Sequence, residues 1–192
     1  MRIIASAIVL LVSCLLPAFA AVDADGYNEF TIRPTDIPSD SPRFEDYPAS
    51  IYAGNNAPPK FNDNPSAKQF RGQLSHWARS KPNFAGHYIL ATWGCGTDCV
   101  SITVIDTKTG NIYFPDGMTT NVSVNVHERL LDGNELWHQP GSVKFQADSR
   151  LLILIGMPEE RAENRGISFY VWENNKFKQV RHIHKSWYPE SK

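Results

Sequence analysis

The stretch that decides the fold is residues 87–114, HYILATWGCGTDCVSITVIDTKTGNIYF. Its β-branched and aromatic residues fall into three short runs, separated by the glycines around Cys95 and by the turn residues Asp106 to Gly110. Short runs of this composition between turn residues are typical of β-strands. The stretch therefore predicts an antiparallel meander of three strands.

A second stretch, residues 151–180, repeats this order with LLILIGMPEERAENRGISFYVWENNKFKQV. The apolar run Leu151 to Ile155 predicts a strand that is buried on both faces. Asn174-Asn175 predicts a tight turn, because asparagine accepts positive φ. Shorter runs at 120–126 and 143–146 predict further strands. We therefore expect a mainly β fold, with antiparallel meanders that form a sandwich or a propeller-blade-like sheet stack.

One helix is predicted ahead of the first meander, near residues 65–80, which makes the fold α+β. Asn64 is a favourable N-cap, and Pro65 suits the first helical position. The apolar residues that follow share one helical face: Phe70, Leu74, Trp77 and Ala78. The helix is expected to pack on the sheet through this face.

Residues 21–64 are predicted to form an extended, proline-rich segment, which we call the strap. Its prolines recur too often for a helix or a central strand: Pro34, Pro38, Pro42, Pro48, Pro58 and Pro59. Aromatic residues lie between them, which is untypical of a disordered tail. Seven acidic residues lie within 21–48, and five basic residues lie from Ile167 onward. We expect the acidic strap to lie over a basic C-terminal face.

The first twenty residues have the features of a cleaved signal peptide. Arg2 precedes an apolar run that is too short to span a bilayer, which needs about 20 residues. Ala18-Phe19-Ala20 supplies the small-x-small pattern, so cleavage is expected after Ala20. The alternative is a lipoprotein, because Leu11-Val12-Ser13-Cys14 resembles a lipobox that would place a lipid on Cys14. Cleavage after Ala20 fits better, since the apolar run continues past that cysteine.

The expected organisation is a signal peptide at 1–20, the strap at 21–64 and a single β-rich domain at 65–192, located in the periplasm or secreted. No transmembrane segment is expected in the mature chain. With a net charge of −1, the chain has no overall positive potential that would attract nucleic acid. The sequence contains no Gly-x-Ser-x-Gly elbow, phosphate loop, His-Glu-x-x-His or EF-hand pattern. We therefore expect no cofactor, and we assign no catalytic residue; an enzyme is the less favoured class.

The mature chain has two cysteines, Cys95 and Cys99, which predict a disulfide in an oxidising compartment. Thr97 and Asp98 would then lie at the tip of a clamped turn, with Trp93 beside it. A rigid tip suits a binding loop, because rigidity lowers the entropy cost of association. The other interpretation is that the disulfide only fixes the turn. A redox site is less expected, since thiol oxidoreductases place two residues between their cysteines and a helix after them.

The histidines offer weaker candidates for a site. His87 follows a glycine at a strand start and is expected to be structural. The alternative is that it pairs with a cysteine nucleophile, which a disulfide would silence. His182 and His184 would lie on one face of a strand, a spacing that zinc can use. A third ligand would have to come from His127, His138 or a carboxylate, and the sequence fixes none of these. We therefore predict no metal site.

Two motifs carry a resemblance: Asn83 to Tyr88 reads N-F-A-G-H-Y, and Trp93 to Cys99 reads W-G-C-G-T-D-C. They resemble exported proteobacterial proteins that carry an N-F-A-G-H-Y segment ahead of W-G-C-G-T-x-C. The resemblance covers roughly residues 66–115, with a looser echo at Asp148 to Leu152. The resemblance implies export, and it implies no particular activity.

The leading hypothesis is an exported non-enzymatic binding protein with a protein partner. Its most concrete version is a periplasmic immunity or inhibitor protein that acts on another envelope protein. One alternative is a hydrolase of envelope polymers that uses carboxylates or histidines which the sequence does not pair. Another is a structural or assembly module of the cell envelope. The oligomeric state and the identity of the partner stay open at this stage.

Overall fold

The computed structural model describes residues 30–62, 64–132 and 141–187. The predicted signal peptide, the alternative lipid site at Cys14 and the candidate ligand His138 lie outside these residues. Within the described ranges, no helix is long and apolar enough to cross a membrane.

Eight strands form the structure described: β1 (Tyr88–Gly96), β2 (Cys99–Asp106), β3 (Ile112–Tyr113), β4 (Thr120–Val122), β5 (Val143–Phe145), β6 (Leu151–Pro158), β7 (Gly166–Glu173) and β8 (Lys176–His184). They are accompanied by three short α-helices: α1 (Pro65–Gln69), α2 (Arg71–Trp77) and α3 (Glu128–Leu131). Single 3-10 turns lie at Pro34–Asp36, Phe44–Asp46 and Ala162–Asn164. The mainly β class with few helices is confirmed.

The strands form two antiparallel meanders that β4 joins into one sheet. The first meander is β1-β2-β3 and the second is β6-β7-β8, with β5 paired to β6. β4 pairs with the start of β2 on one side and with the end of β6 on the other. β4 is shorter than the run predicted at 120–126, because the chain leaves the sheet after Val122 and Asn125 takes a φ of +54°.

β6 is the central strand of the core, as its apolar run predicts. All five residues from Leu151 to Ile155 are buried. One face of β6 places Leu152 and Leu154 in a cluster with Leu90, Ile102 and Val104 of the first meander. The two meanders therefore share one core, and each such buried aliphatic side chain contributes roughly 1.5–3 kcal/mol.

The opposite face of β6 packs against the strap. Leu151, Ile153 and Ile155 form a second cluster that includes Ile32 and Phe44. The strap is therefore part of the hydrophobic core. This arrangement explains why a proline-rich segment also carries buried apolar side chains.

The described part of the strap is fastened to the loop before β1 and to the loop between β5 and β6. Backbone N–H groups of Ala49 and Tyr52 donate to Asp148 and Gly86, each over less than 3 Å. The acidic side of the strap meets basic residues of the C-terminal segment, as predicted. Asp36 pairs with Lys185 at 2.9 Å, and Asp40 pairs with Arg181 at 3.0 Å.

The predicted helix at 65–80 is present as two short helices with a break at Phe70. Asn64 caps α1 through its side-chain oxygen, which accepts from the backbone N–H groups of Ser66 and Ala67. Phe70 leaves the helical region with φ −97° and ψ +21°. Its ring then contacts Trp93, with ring centroids 5.2 Å apart. The predicted apolar face packs on the outer side of the first meander.

Candidate functional site

The clamped turn is the tip of the β1–β2 hairpin. The strands pair as far as Gly94 with Val100, and a bulge at Cys95 brings Gly96 opposite Cys99. The Sγ atoms of Cys95 and Cys99 lie at disulfide distance, and their Cα atoms are 5.2 Å apart. The predicted tip residues, Thr97 and Asp98, form the turn itself.

The tip is exposed and is also held in place. Residues 94–98 are exposed, and Asp98 takes the left-handed conformation with φ +52°. The carbonyl oxygen of Asp98 accepts from the backbone N–H of Ser123 at 2.8 Å and from its hydroxyl at 3.3 Å. The cysteine pair and these two hydrogen bonds fix the tip from both sides.

Trp93 lies within β1, opposite Ser101 of β2, and not at the tip of the hairpin. Its ring is half-buried and belongs to the cluster between the first meander and the helices. The indole N–H of Trp77 on α2 donates to the neighbouring Thr92 carbonyl at 3.1 Å. Trp93 therefore anchors the hairpin to the helices, and the candidate contact surface of the tip reduces to Thr97 and Asp98.

The N-F-A-G-H-Y segment has a structural explanation. The Asn83 side chain accepts from the Leu90 N–H at 2.8 Å and donates to the Leu90 carbonyl at 3.2 Å, so it closes a tight loop. Ala85 and Gly86 both have positive φ, at +45° and +82°. A Cβ atom on Gly86 would meet the Ser50 carbonyl oxygen of the strap, so only glycine fits there.

His87 lies in an open cavity of about 420 Å³ that the sequence does not reveal. Its ring stacks on Tyr88, with ring centroids 4.1 Å apart, and Nε2 is 3.8 Å from Asp106 Oδ1. Burial lowers the pKa of His87, the Lys108 charge lowers it further, and Asp106 opposes both effects. The carboxylate of Asp106 has a structural role in its own turn, because it accepts from the backbone N–H groups of Lys108 and Thr109.

The hypothesis of a cysteine nucleophile paired with His87 is wrong. His87 precedes the first residue of β1, and Cys95 lies near the last. At about 3.3 Å per residue, the strand separates them by roughly 25 Å. The cysteines are also at disulfide distance from each other.

His182 and His184 lie on one face of β8, as predicted, with ring centroids 5.9 Å apart. His182 Nδ1 is 2.8 Å from the Ser168 hydroxyl. The Nδ1 atom of His127 accepts from the Arg129 N–H at 3.3 Å, so this histidine caps α3. The described residues bring together no group of three or more metal-ligating side chains.

Sequence reasoning missed an aromatic cluster around Trp172. Phe84, Tyr88, Tyr113 and Phe177 surround this indole with ring centroids 4.7–6.3 Å away. These side chains come from β1, β3, β7, β8 and the loop before β1, so no local pattern predicts their meeting. The frequency of aromatic residues in both meanders was the one available signal.

Comparison of the chain with protein-family models, with curated proteins and with solved structures gives no significant match.

Proposed function

We propose that this chain is an exported, non-enzymatic binding protein whose β1–β2 hairpin tip docks into a protein partner of the cell envelope. Its most concrete form is an inhibitor or immunity protein. One observation carries the proposal: an exposed tip, Thr97-Asp98, is fixed by the cysteine pair and by two hydrogen bonds from Ser123.

A fixed, exposed tip suits docking for an entropic reason. A flexible loop loses conformational freedom when it binds, whereas a loop that is already ordered loses little. Asp98 is the one charged residue between Trp93 and Val100. A carboxylate at the tip selects a partner surface that offers cationic side chains or backbone N–H groups. Export is supported by the signal-like N-terminal sequence and by the cysteine pair.

The hydrolase alternative has less support. A carboxylate pair for hydrolysis needs two carboxyl groups that face a shared space. Near His87, Asp106 accepts hydrogen bonds from its own turn, and Glu173 pairs with Arg150 at 3.3 Å. A structural envelope module is the third candidate, and it predicts no dependence of binding on the tip.

The proposal predicts that Asp98→Ala releases the partner without unfolding the protein. The mature protein is immobilised, incubated with envelope extract, and the retained proteins are identified by mass spectrometry. Asp98 is exposed, but its φ is +52°, a conformation that aspartate tolerates better than alanine. The replacement should therefore lower the free energy of unfolding by about 1 kcal/mol, which is too little to unfold the protein. Loss of a carboxylate from the centre of an interface typically costs 1 kcal/mol or more, so retention should fall at least about fivefold. Asp148→Ala, another exposed aspartate in a loop, is the matched control.

Two further variants separate docking from folding. Cys95→Ser with Cys99→Ser should weaken retention while the protein stays folded, because the tip loses one of its restraints. Trp93→Ala should destabilise the fold by roughly 2–3 kcal/mol, less than the 3–5 kcal/mol typical of a fully buried tryptophan. If Asp98→Ala and Asp148→Ala retain the same proteins as the parent, the tip is only structural and the proposal fails.

A further inference from the structure

We propose that the cleft around Trp172 is a second binding site, and that its ligand is an uncharged saccharide ring. Two cavities, of about 420 Å³ and 460 Å³, lie beside this indole, and Trp172 lines both. This proposal stands independently of the hairpin tip.

The larger cavity has aromatic walls. Tyr113 and Phe177 line it together with Trp172, and their ring centroids lie 5.8 Å and 4.7 Å from that of the indole. Tyr113 and Phe177 are only half-buried. Flat apolar surfaces of this kind suit a ligand with an apolar face, such as the C–H face of a sugar ring.

The same cavity carries polar groups on its rim. Asn64, Asp116, Asn175 and Lys176 line it. Asn175 lies in the β7–β8 turn with φ +61°, and its side-chain oxygen accepts from the Tyr88 hydroxyl at 2.9 Å. One acid and one base cancel in charge, so the cavity favours a neutral ligand that carries several hydrogen-bonding groups.

The indole itself supplies the second observation. Trp172 is 3% exposed, and its Nε1 atom makes no hydrogen bond within the described part of the chain. The indole ring packs edge-on against the ring of Tyr88, with ring centroids 5.3 Å apart. A buried N–H without an acceptor is unfavourable. A ligand hydroxyl in the cleft can donate to the Tyr88 hydroxyl oxygen, and a small shift of the covered indole brings Nε1 within reach of the same hydroxyl, because hydroxyl groups both donate and accept.

These features together select the ligand class. Aromatic walls without polar groups would favour an apolar ligand, and a charged rim would favour an ion. Aromatic walls, planar amides and an indole donor fit a ring with an apolar face and hydroxyl edges.

The test is NMR titration of the ¹⁵N-labelled mature protein with chitotetraose and cellotetraose. The chain has five tryptophans, so the Trp172 indole signal is assigned by its loss in Trp172→Phe. We expect a saturable shift of this signal with at least one of the two saccharides. Tyr113→Ala should weaken binding about tenfold, which corresponds to about 1.4 kcal/mol. Tyr52→Ala, a tyrosine of the strap outside both cavities, is the matched control and should bind like the parent.

A second variant protects the test against misfolding. Asn175→Gly keeps a residue that accepts positive φ and removes the rim amide, so it should fold and bind more weakly. No saturable shift with either saccharide overturns the proposal. A shift that Tyr113→Ala and Asn175→Gly both leave unchanged places the saccharide elsewhere and overturns it equally.

Discussion

The His182 imidazole is half-buried on β8, between the Ser168 hydroxyl and the His184 ring. Its Nε2 atom is buried and has no hydrogen-bond partner among the described residues. Protonation would place a charged donor there without an acceptor. Burial lowers the pKa of His182, and the charge of His184 lowers it further.

This lowered pKa predicts a pH dependence of stability. The folded protein favours the neutral imidazole, so the stabilisation is complete above the pKa of an unfolded histidine, about 6.5. It is lost as the pH falls through the lower pKa of the folded state. We expect the free energy of unfolding, measured by urea titration at pH 7.5 to 5, to fall more steeply for the parent than for His182→Asn. The exposed His76→Asn is the control, and an unchanged slope in His182→Asn would contradict the assignment.

At the residue scale, local chemistry was predictable and tertiary proximity was not. The turn at Asn174-Asn175 follows from two residues that tolerate positive φ, and both adopt it. The pairing of His87 with Asp106 and the surroundings of Trp172 depend on how two meanders pack. That packing depends on the whole core, so it cannot be predicted from any single residue and its neighbours in sequence.

Among the elements, α1 shows how much one cap contributes to a short helix. Five residues form little helical structure by themselves, because nucleation is costly. The Asn64 side chain satisfies two of the first N–H groups of α1, those of Ser66 and Ala67. The cap is therefore a large part of what defines this element.

Asn64→Ala is predicted to destabilise the protein by about 1 kcal/mol, the usual loss for an asparagine N-cap. Urea unfolding monitored by circular dichroism measures this change. Asn62→Ala removes an exposed asparagine two residues earlier and should change the free energy of unfolding by less than about 0.5 kcal/mol. Equal effects of the two substitutions would show that the cap contributes nothing.

Strands were predictable at this scale, and the break in the helix was not. The apolar run of β6 and the turn residues of both meanders are encoded within a few positions. The interruption at Phe70 depends on Trp93, which the ring of Phe70 contacts across 5.2 Å. The short helix α3 also lacks a periodic pattern, and its four residues were missed.

For the molecule as a whole, Arg165 joins segments that are distant in the chain. It is fully buried. Its guanidinium donates to the Lys185 and Ser186 carbonyls and to those of Val124 and Asn125, at 3.0–3.3 Å. The end of β8 and the segment after β4 are therefore tied together through one side chain.

Arg165→Lys is predicted to cost roughly 3 kcal/mol of unfolding free energy. A lysine keeps the charge but cannot reach four carbonyls with a planar fork, so buried acceptors are left unpaired. Chemical denaturation of the variant measures the loss. The exposed Arg161→Lys is the matched control and should be nearly neutral. A cost below about 1 kcal/mol would mean that other groups replace these hydrogen bonds.

The strap has a consequence for the timing of assembly. It precedes every strand that the structure describes, yet the Ser149 hydroxyl donates to the Phe44 carbonyl across 105 residues, and Lys185 donates to Asp36 across 149. The strap is synthesised first, but it cannot make all of its contacts until β8 and Lys185 have been synthesised. Contacts between such distant residues slow folding. The strap of the newborn chain therefore stays unfastened until Lys185 has been added, and an unfolded segment is the form in which a polypeptide passes through a narrow pore.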